Sequence, residues 1–257
     1  SYGSGYEGQG CVNDEMTNYY VEFMKKHIFA YLNPPITSKV LPMYWYLGYN
    51  VYSKGVLEVG GVILASWIVP IHENYDGLDY WCTCMFGEDN PSDPYLIPTD
   101  RALLDRRRKM ILAPVLEKAV KAGNIIIPEE FEVGFDHVTN LIAGLGMEDD
   151  PNYYLTRGYP GSVNTYVFNS ISEPANNSYP PTNEETFIGY MHLSMYYNQA
   201  RLAEVYPADK YPFLTEKFAF VQKYLKDKYQ IDLEAITNGP EDWDLPLPPI
   251  PETPDEE

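Results

Sequence analysis

The sequence predicts an α+β protein with several amphipathic helices, a small sheet and long loops, and three observations carry that prediction. Apolar residues recur every three or four positions in several segments, as in Tyr20, Phe23, Met24, His27 and Ile28. Between Val40 and Val69 the chain turns aromatic and β-branched, the composition of strands. From Glu73 to Pro98 it fills with Asp, Asn, Gly and Pro, the residues of a long loop.

In chain order, residues 1–16 begin with a glycine- and serine-rich stretch without apolar periodicity and read as a flexible arm. The first helix is expected over Thr17 to Tyr31, ending before Pro34 and Pro35. Val40 to Val51 and Val56 to Val69 predict two or three strands, with Gly60 and Gly61 at a bulge or bend. Tyr80 to Phe86 adds one strand inside the long loop. Asp100 can cap a helix that carries Leu103, Leu104, Met110, Ile111, Val115, Leu116 and Val120, kinks at Pro114 and stops at Gly123. A short strand over Asn124 to Ile127 and a helix over Val133 to Leu145 follow. Thr182 and Glu185 form a capping box ahead of a helix carrying Phe187, Tyr190, Met191, Ser194 and Met195. The last helix covers Leu214 to Tyr229, and residues 239–257 form an acidic, proline-rich tail that is extended. The globular part, 17–238, reads as one domain, because no polar low-complexity run divides it.

Composition excludes several function classes. The 18 basic residues stand against 37 acidic ones, a formal charge of −19 that repels phosphate backbones, so nucleic acid is not an expected partner. The longest apolar stretch, Gly60 to Ile71, is too short to span a bilayer and holds Pro70, so no transmembrane segment is expected. The 24 tyrosines pair apolar rings with hydroxyls that need partners, which suits a core and equally a binding surface. Cys11, Cys82 and Cys84 are an odd set that cannot all pair within the chain. Cys82-Thr83-Cys84 is too sparse for a structural zinc site, and strand alternation is taken to turn its two thiols to opposite faces.

No intact catalytic or metal-binding motif is present. Zinc hydrolysis on a helix needs two histidines four apart beside a glutamate, and none of His27, His72, His137 and His192 lies within four residues of another. His72-Glu73-Asn74-Tyr75-Asp76 fits H-E-x-x-D, but its strand-like context makes a surface loop the plainer reading. Nucleophile-elbow, P-loop and dinucleotide motifs are missing too, and the carboxylate pairs such as Glu184-Glu185 read as solvated faces.

Four segments in order carry a family resemblance. They are Tyr20 to Trp45, Tyr95-Leu96-Ile97-Pro98 with the helix after it, Arg157-Gly158-Tyr159 followed by Asn183-Glu184-Glu185-Thr186-Phe187, and Lys217 to Leu233. Together they cover less than half of the chain, and they resemble the zinc-binding metallopeptidase lipoproteins of Bacteroidetes encoded beside starch-utilisation-type nutrient import systems. The resemblance implies a zincin-like single domain in which H-E-x-x-H is replaced by Asp136-His137-Val138-Thr139-Asn140, with Glu185 as the remaining acidic position. The implied site is a vestigial pocket of Asp136, His137, Asn140 and Glu185, with no catalytic residue, metal or other cofactor. The implied protein is a non-catalytic accessory subunit at the bacterial cell surface or in the periplasm, lipid-anchored through a residue outside this sequence. Its partners would be protein subunits of an outer-membrane complex, with a peptide or glycan as ligand. Two alternatives stay open: an active peptidase whose metal is held by His137, Glu185 and either His72 or His192, and a purely structural subunit of a larger assembly.

Overall fold

The computed structural model describes residues 2–11, 13–70, 74–76, 79–86 and 101–245, and it is a mixed helix-and-sheet protein of the expected α+β class. Where one domain was expected, the chain divides into two compact units. Unit 1 takes Ser1–Ile28, Pro42–Arg107 and Asp242–Glu257, and unit 2 takes Phe29–Leu41 and Arg108–Glu241.

Unit 1 is built on one sheet. Strands β1 (Tyr2–Gly10), β2 (Tyr44–Val59), β5 (Tyr80–Phe86) and β4 (Asn74–Asp76) follow in the order β1-β2-β5-β4, and β3 (Val62–Pro70) also pairs β2. All pairings are antiparallel except β2 with β5. The segment Tyr2–Gly10, expected to be a flexible arm, is therefore an ordered strand. Its glycines suit close approach, since a Cβ at Gly8 would stand 2.7 Å from Val51 Cγ2. Gly60 and Gly61 form the turn of the β2–β3 hairpin rather than a bend within a strand; their φ values of +61° and +83° belong to the mirror-image turn that matches strand twist. The hairpin tip leaves Val59, Val62, Ile63 and Leu64 each 58–63 % exposed.

Helix α1 (Asp14–Phe23) is capped by Asn13, whose side chain accepts from Met16 N at 2.8 Å, and it continues through a π turn (Met24–Ile28) and a 3-10 turn (Phe29–Tyr31). Met16, Tyr19, Tyr20 and Phe23 form its buried face. The Tyr20 hydroxyl donates to Gly48 O at 2.8 Å, fastening the helix to the sheet. Cys82 and Cys84 share one face of β5, as residues two apart must, so the expected opposite orientation is corrected; both pack near Val51, and no disulfide joins the three cysteines. Trp243, beyond the last helix, lies beneath Arg101 at 4.5 Å. Residues 246–257 of the expected tail, His72-Glu73 of the H-E-x-x-D pattern and the Asp100 cap lie outside the described residues.

Unit 2 is helical. Helix α3 (Arg101–Lys121) runs through Pro114 and ends before Gly123; its residues from Arg108 onward belong to this unit. The other helices are α2 (Pro34–Thr37), α4 (Glu129–Glu132), α5 (Asn183–Tyr196), α6 (Gln199–Val205), α7 (Pro212–Tyr229) and α8 (Leu233–Asn238), of which α5 packs on α7 and α8, and α4 on α7. Two short strands, β6 (Ser162–Val163) and β7 (Ile171–Ser172), pair antiparallel. The capping box at Thr182 and Glu185 is present as expected. Helix α5 is central: Phe187, Tyr190, Met191, Leu193 and Met195 are fully buried, and each such side chain contributes on the order of 1.5–3 kcal/mol.

Two expected elements are absent. No strand forms over 124–127, and residues 133–145 are an irregular loop instead of a helix. Gly134 at φ +93° and Gly144 at φ +111° leave the helical region, and the Asp136 carboxylate accepts from Val138 N and Thr139 N, closing a local turn in place of a helical ladder. Loop carbonyls in this unit are held by tyrosine hydroxyls: Tyr159 donates to Asp136 O at 2.8 Å, Tyr190 to Gly158 O at 2.6 Å and Tyr224 to Ile126 O at 2.6 Å.

Candidate functional site

The residues read as a vestigial pocket are mostly engaged in holding loops. Asp136 adds to its turn an ion pair with Arg157 at 3.3 Å, and the Thr139 and Val138 hydrogen bonds, helped by that guanidinium, draw its carboxyl down to about 2. Arg157 also donates to Asp136 O at 2.6 Å and to Asn152 at 3.1 Å. The His137 Nδ1 lies 2.7 Å from Pro181 O; a carbonyl only accepts, so Nδ1 carries the proton. The Asn140 amide donates to Asn177 O at 3.1 Å. His137 and Asn140 therefore tie the 133–145 loop to the 177–181 segment, Asp136 ties it to Arg157, and none of the three lines the cleft that holds Glu185.

Glu185 does line one. An open cleft of about 580 Å³ in unit 2 lies between the face of α5 that carries Glu185, Ile188, Gly189 and His192 and the α3 residues Glu117 and Lys121. Pro160 to Val163 and Tyr179 to Pro181 form its other walls. The helical period explains the first wall, since positions 185, 188, 189 and 192 fall on one side of a helix. Glu185 Oε2 accepts from Thr182 N at 2.7 Å and Thr182 Oγ at 2.8 Å, and these bonds hold its carboxyl below the usual glutamate range. The segment leading into β6 also comes close to α5: a Cβ on Gly189 would meet Pro160 Cγ at 3.3 Å, tighter than ordinary contact.

The cleft is acidic, with one neutral imidazole. Glu117 accepts from Lys121 Nζ at 2.6 Å, while its other oxygen stands 3.6 Å from His192 Nε2, beyond hydrogen-bond length. His192 is only 9 % exposed, and its Nε2 is buried without a hydrogen-bond partner. Burial draws its pKa down to about 4, partly opposed by Glu117, so the ring is uncharged at neutral pH. The sequence reading named His192 only as a distant metal ligand and did not single out Glu117 or Lys121. Their i, i+4 spacing on a capped-length helix, and the seven residues from Glu185 to His192, were the available signals.

The zinc of the active-peptidase alternative does not fit these residues. A catalytic zinc needs three side-chain ligands around an open position, and among the described residues no group of three or more His, Cys, Asp or Glu side chains is arranged to hold an ion. His137, moreover, has Nδ1 occupied by Pro181 O and is not in the cleft with Glu185 and His192.

Unit 1 holds a second, more apolar hollow of about 500 Å³, floored by Gly8, Gly10 and Gly48 and walled by Tyr46 and Tyr80, whose rings meet edge-on at 5.6 Å. Comparison of the chain with protein-family models, with curated proteins and with solved structures finds no match. Among the described residues no helix is long and apolar enough to cross a membrane.

Proposed function

We propose that the protein is a non-catalytic accessory subunit of a bacterial cell-surface or outer-membrane complex, that residues 17–238 form a zincin-like fold with a vestigial metallopeptidase pocket, and that the open cleft of unit 2 holds a ligand. One observation carries the reading: where the resembled family places metal ligands, Asp136, His137 and Asn140 form loop hydrogen bonds, while a cleft of ligand-binding size stays open beside Glu185. The ordered run of four resembling segments supports the cell-surface setting and the neighbouring import-complex subunits as partners.

Metal content of protein purified without chelator or histidine tag, measured by plasma mass spectrometry beside a peptide-cleavage assay, tests the reading. Zinc below a tenth of an equivalent with no chelator-sensitive cleavage is expected. Zinc near one per chain with chelator-sensitive cleavage overturns it in favour of an active peptidase.

A further inference from the structure

Resting on the reading of the unit 2 cleft as a binding site, we propose that its ligand is a peptide presenting a primary ammonium group, which is received between Glu117 and His192. Three carboxylates, Glu117, Glu184 and Glu185, line the cleft against the single ammonium of Lys121. The surplus is negative. The helix N-terminus does not reverse it, because Glu184 and Glu185 already occupy the first turn of α5.

The acidic lining alone would be an ordinary solvated face. The second observation is His192. Its Nε2 is buried and has no hydrogen-bond partner, and the nearest carboxylate oxygen, on Glu117, is too far to serve at 3.6 Å. A buried nitrogen without a partner is costly unless a third group reaches it, and Glu117, whose side chain is 31 % exposed, stands close enough to share such a group. In this proposal the His192 proton sits on Nδ1, so that Nε2 accepts as the ionised Glu117 carboxylate does, and the group that satisfies both is a multiple donor. An alkylammonium has three donors and positive charge.

Lys121 shows the same chemistry from within the chain. Its Nζ already bonds the other oxygen of Glu117 at 2.6 Å, and its side chain is 55 % exposed, so it can swing away at little cost. The walls suit what comes with the ammonium: Pro160, Pro181 and Ile188 offer apolar surface to methylenes, and Tyr179, 82 % exposed, presents a ring face to a cation at the rim. The ammonium is either a lysine side chain or the amino terminus of a chain.

The test is a titration of the 15N-labelled full chain, followed at the amides of Gly161, Ser162 and Gly189. The probes are a doubly blocked lysine amide, a doubly blocked norleucine amide of matched length without the charge, alanine amide with its free amino group, calcium chloride, a neutral oligosaccharide and an acidic peptide. The expected result is saturable shifts with blocked lysine amide or alanine amide and none with norleucine; the tighter of the two names the source. Glu117→Gln should weaken that binding at least tenfold, and Lys121→Gln should strengthen it two- to fivefold by removing the internal competitor.

Equal shifts from lysine and norleucine amides, or shifts from calcium alone, overturn the ammonium inference. Shifts from only the oligosaccharide or the acidic peptide overturn it as well, yet leave the cleft a binding site. If no probe moves these amides, both readings fall.

Discussion

The Lys217 ammonium sits 2.8 Å from the Phe131 carbonyl oxygen, inside unit 2 and only 3 % exposed. It also donates to Val133 O at 2.8 Å, and the rings of Phe131, Phe135, Phe213 and Phe220 surround it at 5.2 to 5.9 Å. Carbonyls at the end of α4 and aromatic faces thus stand in for water around the charge. Lys217→Met keeps the length of the side chain but leaves buried carbonyls without a donor. It should lower stability by about 2–4 kcal/mol in urea titration, with helical content retained. A loss under ~0.5 kcal/mol would show that the cage is not a source of stability.

His192 makes stability depend on pH. Its folded pKa, about 4, is below the unfolded value of about 6.5, so between these limits the unfolded chain binds more protons. Stability contributed by the neutral ring is full above about pH 6.5 and declines as pH falls toward about 4, by at most on the order of 3 kcal/mol. The difference between wild type and His192→Gln in urea midpoint, taken from pH 7 to pH 4, isolates this slope from the carboxylates. A pH-independent difference contradicts it.

The hydroxyl of Tyr190, fully buried, donates to Gly158 O at 2.6 Å. Tyr190→Phe preserves ring packing and orphans that carbonyl, so thermal unfolding should register a loss of about 1–3 kcal/mol. An unchanged melting temperature would mean that water replaces the hydroxyl.

Helix α7 ends on Gln230 in the left-handed region, φ 56°, with Ile231 N returning to Leu225 O at 3.1 Å. Glycine fits that conformation without steric cost, so Gln230→Gly should stabilise the protein by about 0.5–1 kcal/mol in the same urea titration. A destabilisation would place the Gln230 side chain among the contacts that matter.

Ile63 and Leu64 at the β2–β3 tip are 63 % and 61 % exposed. Ile63→Lys or Leu64→Lys should leave the melting temperature nearly unchanged, within about 0.5 kcal/mol, while raising the concentration at which scattering shows self-association. A large drop in melting temperature would mean that the tip is buried in solution.

What the sequence disclosed was whatever local chemistry decides. Thr182 and Glu185 cap one another within a single turn, and the Tyr20–Phe23–Met24 period marks a helix wherever it packs. The opening strand was illegible because its glycines have no pattern of their own; only β2, far along the chain with Gly10 paired to Gly48 and Tyr2 to Leu57, makes Tyr2–Gly10 a strand. The 133–145 segment misled in the opposite way: its apolar spacing resembles a helix, but Asp136 and the glycines at 134 and 144 build turns. That error displaced the site. Asp136 and His137 were grouped with Glu185, whereas the cleft unites Glu185 with Glu117 and His192 across two helices, a grouping that only packing creates.

The tyrosine hydroxyls that hold the loops of unit 2 bear on the compartments this unit tolerates. Cys11, Cys82 and Cys84 all belong to unit 1, so unit 2 contains no thiol and fixes its irregular segments with phenol-to-carbonyl bonds such as those of Tyr159, Tyr190 and Tyr224. Bonds of that kind neither form by oxidation nor break by reduction. The cleft should therefore keep one shape in a reducing cytoplasm and in an oxidising periplasm, and any thiol-based redox sensitivity of the protein must reside in unit 1.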